Sequence, residues 1–209
     1  MFEIILIGAG GHAVSCIDVI ENSNEYKIVG LVTKEGDDRD AVLDYPILGS
    51  DEDLENIRKK YDTATVAIGQ IKTSKYRVNC FKKLKSLDFI LPVIISPRAY
   101  VSPHSKIGRG TVIFNDACIN ARARIGENCI INTKALIEHD VRVGNHCHIS
   151  TSAVLNGDVR VGDRTFVGSG VITKESITIG SDCIIGAGSV VKKDIEANCL
   201  EAISKLNTI

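Results

Sequence analysis

His139 and Asp140 are the adjacent pair in this chain best suited to moving a proton. Imidazole titrates close to neutrality, and a neighbouring carboxylate fixes its tautomer and raises its basicity. His146 and His148 follow shortly after, so a zinc site built from His139, His146 and His148 is one alternative. No CxxC or other metal-ligand spacing accompanies them. Cys147 lies among these histidines as a possible nucleophile. A second constellation is Gly8-Ala9-Gly10-Gly11-His12-Ala13. It follows the apolar run Glu3–Ile7 and precedes an amphipathic stretch, and it fits G-x-G-x-x-[G/A]. Backbone N–H groups at such a helix start can hold a phosphate. A dinucleotide would call for an acidic residue at the end of the next strand, which here ends in Thr33-Lys34. A ligand linked to one nucleotide, with a single diphosphate at the turn, fits better. The plain alternative is that the glycines only let helix and strand pack closely.

The elements that position these residues are two. From Ile95 to Glu196 the chain runs as seventeen six-residue units without an insertion. Sixteen of the seventeen opening residues are Ile, Val or Leu, the exception being Thr173, so the register holds over a hundred residues where a helical period could not. Four residues after each opener stands a small or β-branched residue, among them Ala123, Cys129, Ala135, Cys147, Ala153, Thr165 and Cys183. That hexad predicts a left-handed parallel β-helix over 95–196, with three hexads to a coil and openers pointing inward. Cys147 then points into the coil, which disfavours it as a nucleophile. His139, third in its hexad, is expected outward or at a corner. The many glycines of the later hexads, Gly157 among them, read mainly as turn chemistry.

Residues 1–94 alternate differently. Strands are predicted at 3–7, 27–32 and 64–68, with a further one at Phe89–Leu91. Helices are predicted after Ala13, with Val14, Ile17, Val19 and Ile20 as the apolar side, from Asp51, and over Lys75–Leu84. This describes a small Rossmann-like α/β domain with a parallel sheet. Residues 197–209 are left as a C-terminal tail. The whole chain of 209 residues carries 25 Lys plus Arg against 26 Asp plus Glu, so bulk charge points to neither nucleic acid nor an acidic membrane. Met1–Gly8 lacks the basic start of a signal peptide, and no apolar stretch reaches the length of a membrane span, so a cytoplasmic location is expected.

The glycine turn at 8–13, Ile137-Glu138-His139-Asp140 in an unbroken hexad run, Asn156-Gly157-Asp158-Val159 and Ile185–Val191 together resemble the bacterial sugar acetyltransferases of the sialic acid and bacillosamine type, the NeuD/PglD family. The resemblance covers nearly the whole chain. It implies a homotrimer with active sites between neighbouring β-helices, acetyl-CoA as donor, and a nucleotide sugar or sialic acid as acceptor. It implies His139 as general base and Asp140 as the acid that tunes it. Asn132 falls where the family contacts the acceptor sugar, and His148, Ser169 and Ala187 where it contacts the coenzyme. Gly10, Gly11 and His12 match the turn that holds the nucleotide-sugar phosphates, with Thr33 and Gly69 lining the same pocket. The chain departs from the family at Asn198-Cys199-Leu200-Glu201-Ala202, where a Gly-x-Pro-Ala-Lys type segment is usual. The expected reaction is direct acetyl transfer without a metal, foremost N-acetylation of a UDP-linked 4-amino-deoxy sugar. O-acetylation of sialic acid and a non-catalytic nucleotide-sugar-binding role remain as alternatives.

Overall fold

The computed structural model describes residues 1–199, which form two units, Met1–Pro97 and a second from Arg98 onward. Most of the 197–209 tail, with Leu200, Glu201 and Ala202, lies outside the described residues. Among the described residues no helix is long and apolar enough to cross a membrane.

The first unit is built on strands β1 (Phe2–Ile7), β2 (Tyr26–Thr33), β3 (Ala41–Val42), β4 (Tyr45–Ser50) and β5 (Ala64–Val66), with helices α1 (Gly11–Ser23), α2 (Leu54–Arg58) and α3 (Lys75–Ser86). The sheet order is β3-β4-β2-β1-β5. β1 pairs in parallel with both β2 and β5, and β4 runs parallel to β2. The run Ile4–Ile7 is fully apolar because both sheet faces are covered, as parallel strands require. α1 buries Ala13, Cys16, Ile17, Val19 and Ile20. Val14, expected on that apolar side, is instead 40% exposed, since it falls off the stripe that Ala13, Ile17 and Ile20 trace at helical spacing. The antiparallel β3–β4 pair was not foreseen: its residues are mostly half-buried, and Pro46 interrupts the alternation that marks a strand. Phe89–Leu91 is not a strand and contributes one isolated bridge, Thr63 to Ile90. Phe89 and Leu91 instead join Ile5, Val32, Leu54 and Phe81 in the core. Arg77 on α3, 1% exposed, donates from Nη1 to the carbonyls of Val66 (2.7 Å) and Ile68 (2.8 Å), fixing the chain where it leaves β5.

The second unit is a left-handed parallel β-helix of two-residue strands. Each strand pairs with the strand 18 residues on, as in Cys118 with Leu136, so three hexads close a coil. The first wall stacks Tyr100–Val101, Cys118–Ile119, Leu136–Ile137, Val154–Leu155, Ile172–Thr173 and Val190–Val191. The second stacks Lys106–Ile107, Arg124–Ile125, Arg142–Val143, Arg160–Val161 and Thr178–Ile179. The third includes Val112–Ile113, Ile130–Ile131, His148–Ile149, Phe166–Val167 and Ile184–Ile185. From Val101 onward the hexad openers are the inward member of each pair, and Ile119, Ile137, Leu155 and Val167 are fully buried, whereas the first opener, Ile95, is 38% exposed and its neighbour Ile94 is the buried one. Thr173, the one polar opener, is 1% exposed because its Oγ1 accepts the N–H of Asn156 at 3.0 Å. The period recurs in the backbone: φ is positive every sixth residue, including Asp116, Arg122, Asn128, Lys134, Asp140 and His146, which turns each corner.

The small inward residues have a polar task. Thr111, Cys129, Cys147, Thr165 and Cys183 form one column, and Thr111, Cys129, Cys147 and Thr165 each donate to a glycine carbonyl 15 residues on, such as Cys147 Sγ to Gly162 O at 3.0 Å. Burial raises the Cys147 thiol well above its ordinary pKa, which removes the thiolate that a nucleophile needs.

Candidate active site

Two sets of candidate functional residues emerge, one in each unit. In the first, β1 lies between β2 and β5, so the connections from β1 lead to opposite sides of it, and in such parallel sheets ligands bind outside the carboxyl ends of the strands at that point. Every N-terminal site residue read from the sequence sits at that edge. Gly10 and Gly11 open α1 after β1, Thr33 ends β2, and Gly69 follows β5, with the His12 Cβ 3.4 Å from where a Gly69 side chain would start. The glycines divide in purpose. Gly8 has φ +114°, and a Cβ there would stand 2.6 Å from Ile68 Cγ1, so it serves packing and backbone geometry. A Cβ on Gly10 or Gly11 would meet nothing within 4 Å. Close packing therefore explains Gly8 alone, and the space above the other two is open at a helix N-terminus that has neither a side-chain cap nor an acidic residue in its first turn. Thr33 is 4% exposed. Arg39, which sequence reasoning missed, reaches in from the segment after β2 and donates to the Ala9 carbonyl inside the turn while holding Asp37 at 2.7 Å. Nothing in its local sequence marks it, because it lies 30 residues from its partner in a stretch without periodicity.

In the second unit, His139 and Asp140 form the corner between the first and second walls. The His139 side chain is 66% exposed, as its hexad position implied. Its Nδ1 lies 2.9 Å from Asp140 Oδ2. Arg122, one coil before Asp140, clamps both carboxylate oxygens from Nη2 at 2.6 and 2.7 Å. The Arg122 guanidinium first, and His139 second, hold the Asp140 carboxyl down at about 2. An ionised carboxylate only accepts, so Nδ1 carries the proton and Nε2 keeps its lone pair. Glu138 anchors the other side of the corner, its Oε2 accepting from Asn120 Nδ2 (3.0 Å) and from the His139 N–H (3.2 Å). The ring lies against Gly157 in the next coil, where a Cβ would stand 2.8 Å from Cε1 and 2.9 Å from Nε2. An open cleft lined by His104, Ala121, Arg122, His139 and Asp140 runs along this corner. Such a base, with a fixed tautomer and an accessible Nε2, can take a proton from a nucleophile.

Arg122 has no mark in its local sequence and Gly157 reads there mainly as turn chemistry, yet the coil period relates both to the His139 corner. Arg122 is 18 residues before Asp140, and Gly157 is 18 after His139, one coil in each direction. The guanidinium holds the carboxylate that in turn holds the ring. Arg122→Gln should therefore loosen Asp140 beside Nδ1 and lower kcat by roughly tenfold with KM little changed. Arg122→Lys should restore most of the difference. Steady-state kinetics check both, and an unchanged kcat would show that the pair is structural only.

Asn132, His148, Ser169 and Ala187 lie elsewhere, on the third wall and the corner between the third and first walls. His148 is 6% exposed, its ring edge-on to Phe166 at 5.1 Å and its Nε2 3.2 Å from Asn132 Nδ2. Ser169 Oγ is 2.9 Å from Ser150 Oγ, and Gly188, next to Ala187, donates its N–H to the Ser169 carbonyl at 2.8 Å. The structure thus groups these four along one edge and His139 with Asp140 along another. His146 occupies the remaining corner, with Nδ1 3.0 Å from Asn128 Nδ2. Among the described residues of one chain no three His, Cys, Asp or Glu side chains converge as metal ligands, and His139, His146 and His148 lie on three different edges or walls of the coil.

Comparison with known proteins agrees with both units. Residues 3–84 match the family described as PglD N-terminal domain, and residues 113–205 match that described as GMPPB C-terminal domain. No curated protein sequence matches the chain. Among solved structures, a point variant of perosamine N-acetyltransferase from Caulobacter crescentus, in complex with CoA and GDP-perosamine, is 34% identical with a TM-score of 0.88, over 94% of this chain and 91% of that one. The acetyltransferase domain of PglB from Neisseria gonorrhoeae, in complex with acetyl coenzyme A, is 30% identical with a TM-score of 0.86, over 94% and 93%. WeeI from Acinetobacter baumannii, at 21% identity, shares the fold with a TM-score of 0.81 over 94% of each chain. Identity at this level along nearly the full length of both chains places this chain in the PglD-type, hexapeptide-repeat family of bacterial sugar acetyltransferases, and it is an acyltransferase.

Proposed function

We propose that the protein transfers the acetyl group of acetyl-CoA directly to the amine of a nucleoside-diphosphate-linked amino sugar, with His139 as general base. The observation that carries this reading is the exposed imidazole whose Nδ1 is held by an ionised carboxylate. Nε2 of His139 takes the proton as the amine nitrogen attacks the thioester carbonyl. The carbon–sulfur bond breaks, and the imidazolium returns the proton to the departing thiolate. Asp140 holds the tautomer and stabilises the imidazolium between these two events. The open glycine turn supports a diphosphate-bearing acceptor, as do the relatives solved with CoA and GDP-perosamine. A UDP-linked 4-amino-deoxy sugar is the first candidate and a GDP-linked amino sugar the second. Thiol release from acetyl-CoA, followed with UDP- and GDP-amino sugars, sialic acid and CMP-sialic acid, tests the proposal. Release with a nucleotide amino sugar is expected. Release with sialic acid alone would establish O-acetylation instead, and binding without any release would establish a non-catalytic role.

A homotrimer fits the same reading. Tyr100, Cys118, Leu136, Val154, Ile172 and Val190 form an outward apolar column along the first wall, with Tyr100 57%, Ile172 45% and Val190 56% exposed. A continuous apolar strip of this kind favours burial against further copies. Packing the first wall around a threefold axis brings the His139 corner of one copy toward the Ser169–Ala187 corner of the next, uniting residues that one chain keeps apart. Ile172→Asp should reduce the solution mass from about three times 22.6 kDa to the single-chain value and abolish transfer together with it. Light scattering reads the mass, and a single-chain mass for the unaltered protein would exclude the trimer.

A further inference from the structure

The second wall of the β-helix carries an unbroken column of cations. Lys106, Arg124, Arg142 and Arg160 take the outward position on successive strands, in register, and all are exposed. Neighbouring strands lie about 4.8 Å apart, so the column extends for about 14 Å. Like charges directly opposite one another repel. Elsewhere this chain relieves that repulsion in one recurrent way. Arg98 pairs with Asp116, Arg109 with Glu127, Arg122 with Asp140 and Arg164 with Asp182, each with the acid one coil on. On the second wall the residue one coil on is another cation. Lys106, Arg124 and Arg142 form no ion pair among the described residues, and Arg160 reaches only Asp158, at 4.0 Å. The three arginines border an open groove of about 670 Å³, which Asn145, Asp163 and Ser181 also line. Gly126, Gly144 and Gly162 lie along it because a Cβ there would collide with the next coil.

We propose that this column is a phosphate-binding rail for the substrates of the enzyme. Guanidinium groups grip phosphate oxygens in bidentate fashion, and a row of them suits a ligand with several phosphates in line better than it suits a single ion. Arg142, within the column, is three residues beyond His139 in the same coil. The inference rests on the proposed transfer reaction, whose two substrates both carry phosphate: the 3′-phosphorylated diphosphate of the coenzyme and the diphosphate of the nucleotide sugar. It adds an anion site apart from the glycine turn and from the Ser169–Ala187 edge.

Charge reversal tests it. Arg142→Glu, with Arg142→Gln as the milder variant should the first fail to fold, is compared with the unaltered protein for Kd by calorimetry and for KM and kcat by thiol release. The expected result is a rise of about tenfold or more in Kd and KM for one substrate, with kcat within about twofold, and a flatter dependence of that KM on added salt. Acetyl-pantetheine, which lacks the coenzyme's phosphates, separates the two sources. If the rail holds the donor, the variant and the unaltered protein use acetyl-pantetheine equally well. If it holds the acceptor, the rise in KM for the nucleotide sugar persists with acetyl-pantetheine. Kd and KM unchanged within twofold for both substrates, with the same salt dependence, would overturn the rail. The calorimetric comparison decides this even if the protein binds both ligands and transfers nothing, the result that would remove the catalytic reading instead.

Discussion

Replacing His139 with alanine should lower kcat by about 10²- to 10⁴-fold while leaving KM for both substrates within a few-fold, because a positioned general base acts in the transition state and contributes little to ground-state binding. Activity should be weak and not absent, since the proposed ternary complex would still hold acceptor and thioester together. The fold should not suffer: the side chain is 66% exposed, and its corner position is filled one coil earlier by Ala121. Steady-state kinetics, with a thermal melt as control, checks these points. A loss smaller than tenfold would remove His139 from the reaction.

The second large effect is expected at a residue with no functional group. Gly157→Ala should reduce kcat by roughly 10²-fold without unfolding the protein. The corner positions one coil on either side of it in the same column are His139 and Glu175, so side chains are admitted there in general. At Gly157 a methyl would stand 2.8 Å from Cε1 and 2.9 Å from Nε2 of His139, closer than carbon approaches in packed structures. The ring must swing away, which breaks the 2.9 Å contact with Asp140 and moves Nε2 by about an ångström, a displacement that commonly costs two orders of magnitude. The control is non-additivity: in a His139→Ala background, Gly157→Ala should cost nothing further. Additive losses would mean that Gly157 acts on substrate directly, and an unchanged kcat in the single variant would mean that the ring yields without consequence.

How much of this could be read in the sequence depends on how local the cause is. The β-helix was legible from Ile95 onward because every hexad makes the same contacts with the coils above and below it, and the repeat averages over single exceptions such as Thr173. The strands and helices that bury a regular stripe were legible too, whereas Val14, the β3–β4 pair and the irregular stretch at Phe89–Leu91 were not, since each is settled by what covers it and not by its own pattern. At the His139 corner, adjacency in the chain makes Asp140 visible, and the 18-residue coil repeat places Arg122 and Gly157 against the same corner.

The sequence by itself determined the repeating architecture, the outward placement of His139 and the carboxylate beside it, because a period of six fixes the direction in which each residue points. Only the tertiary structure decided that Arg122 divides its charge with Asp140, that the His139 ring rests on a bare Gly157, that Arg39 reaches the glycine turn, and that His139 stands on a different edge from Ser169 and Ala187. These depend on distances between segments far apart in the chain, and on which faces of a three-sided prism meet. Nearest-neighbour periodicity encodes direction and leaves such distances open.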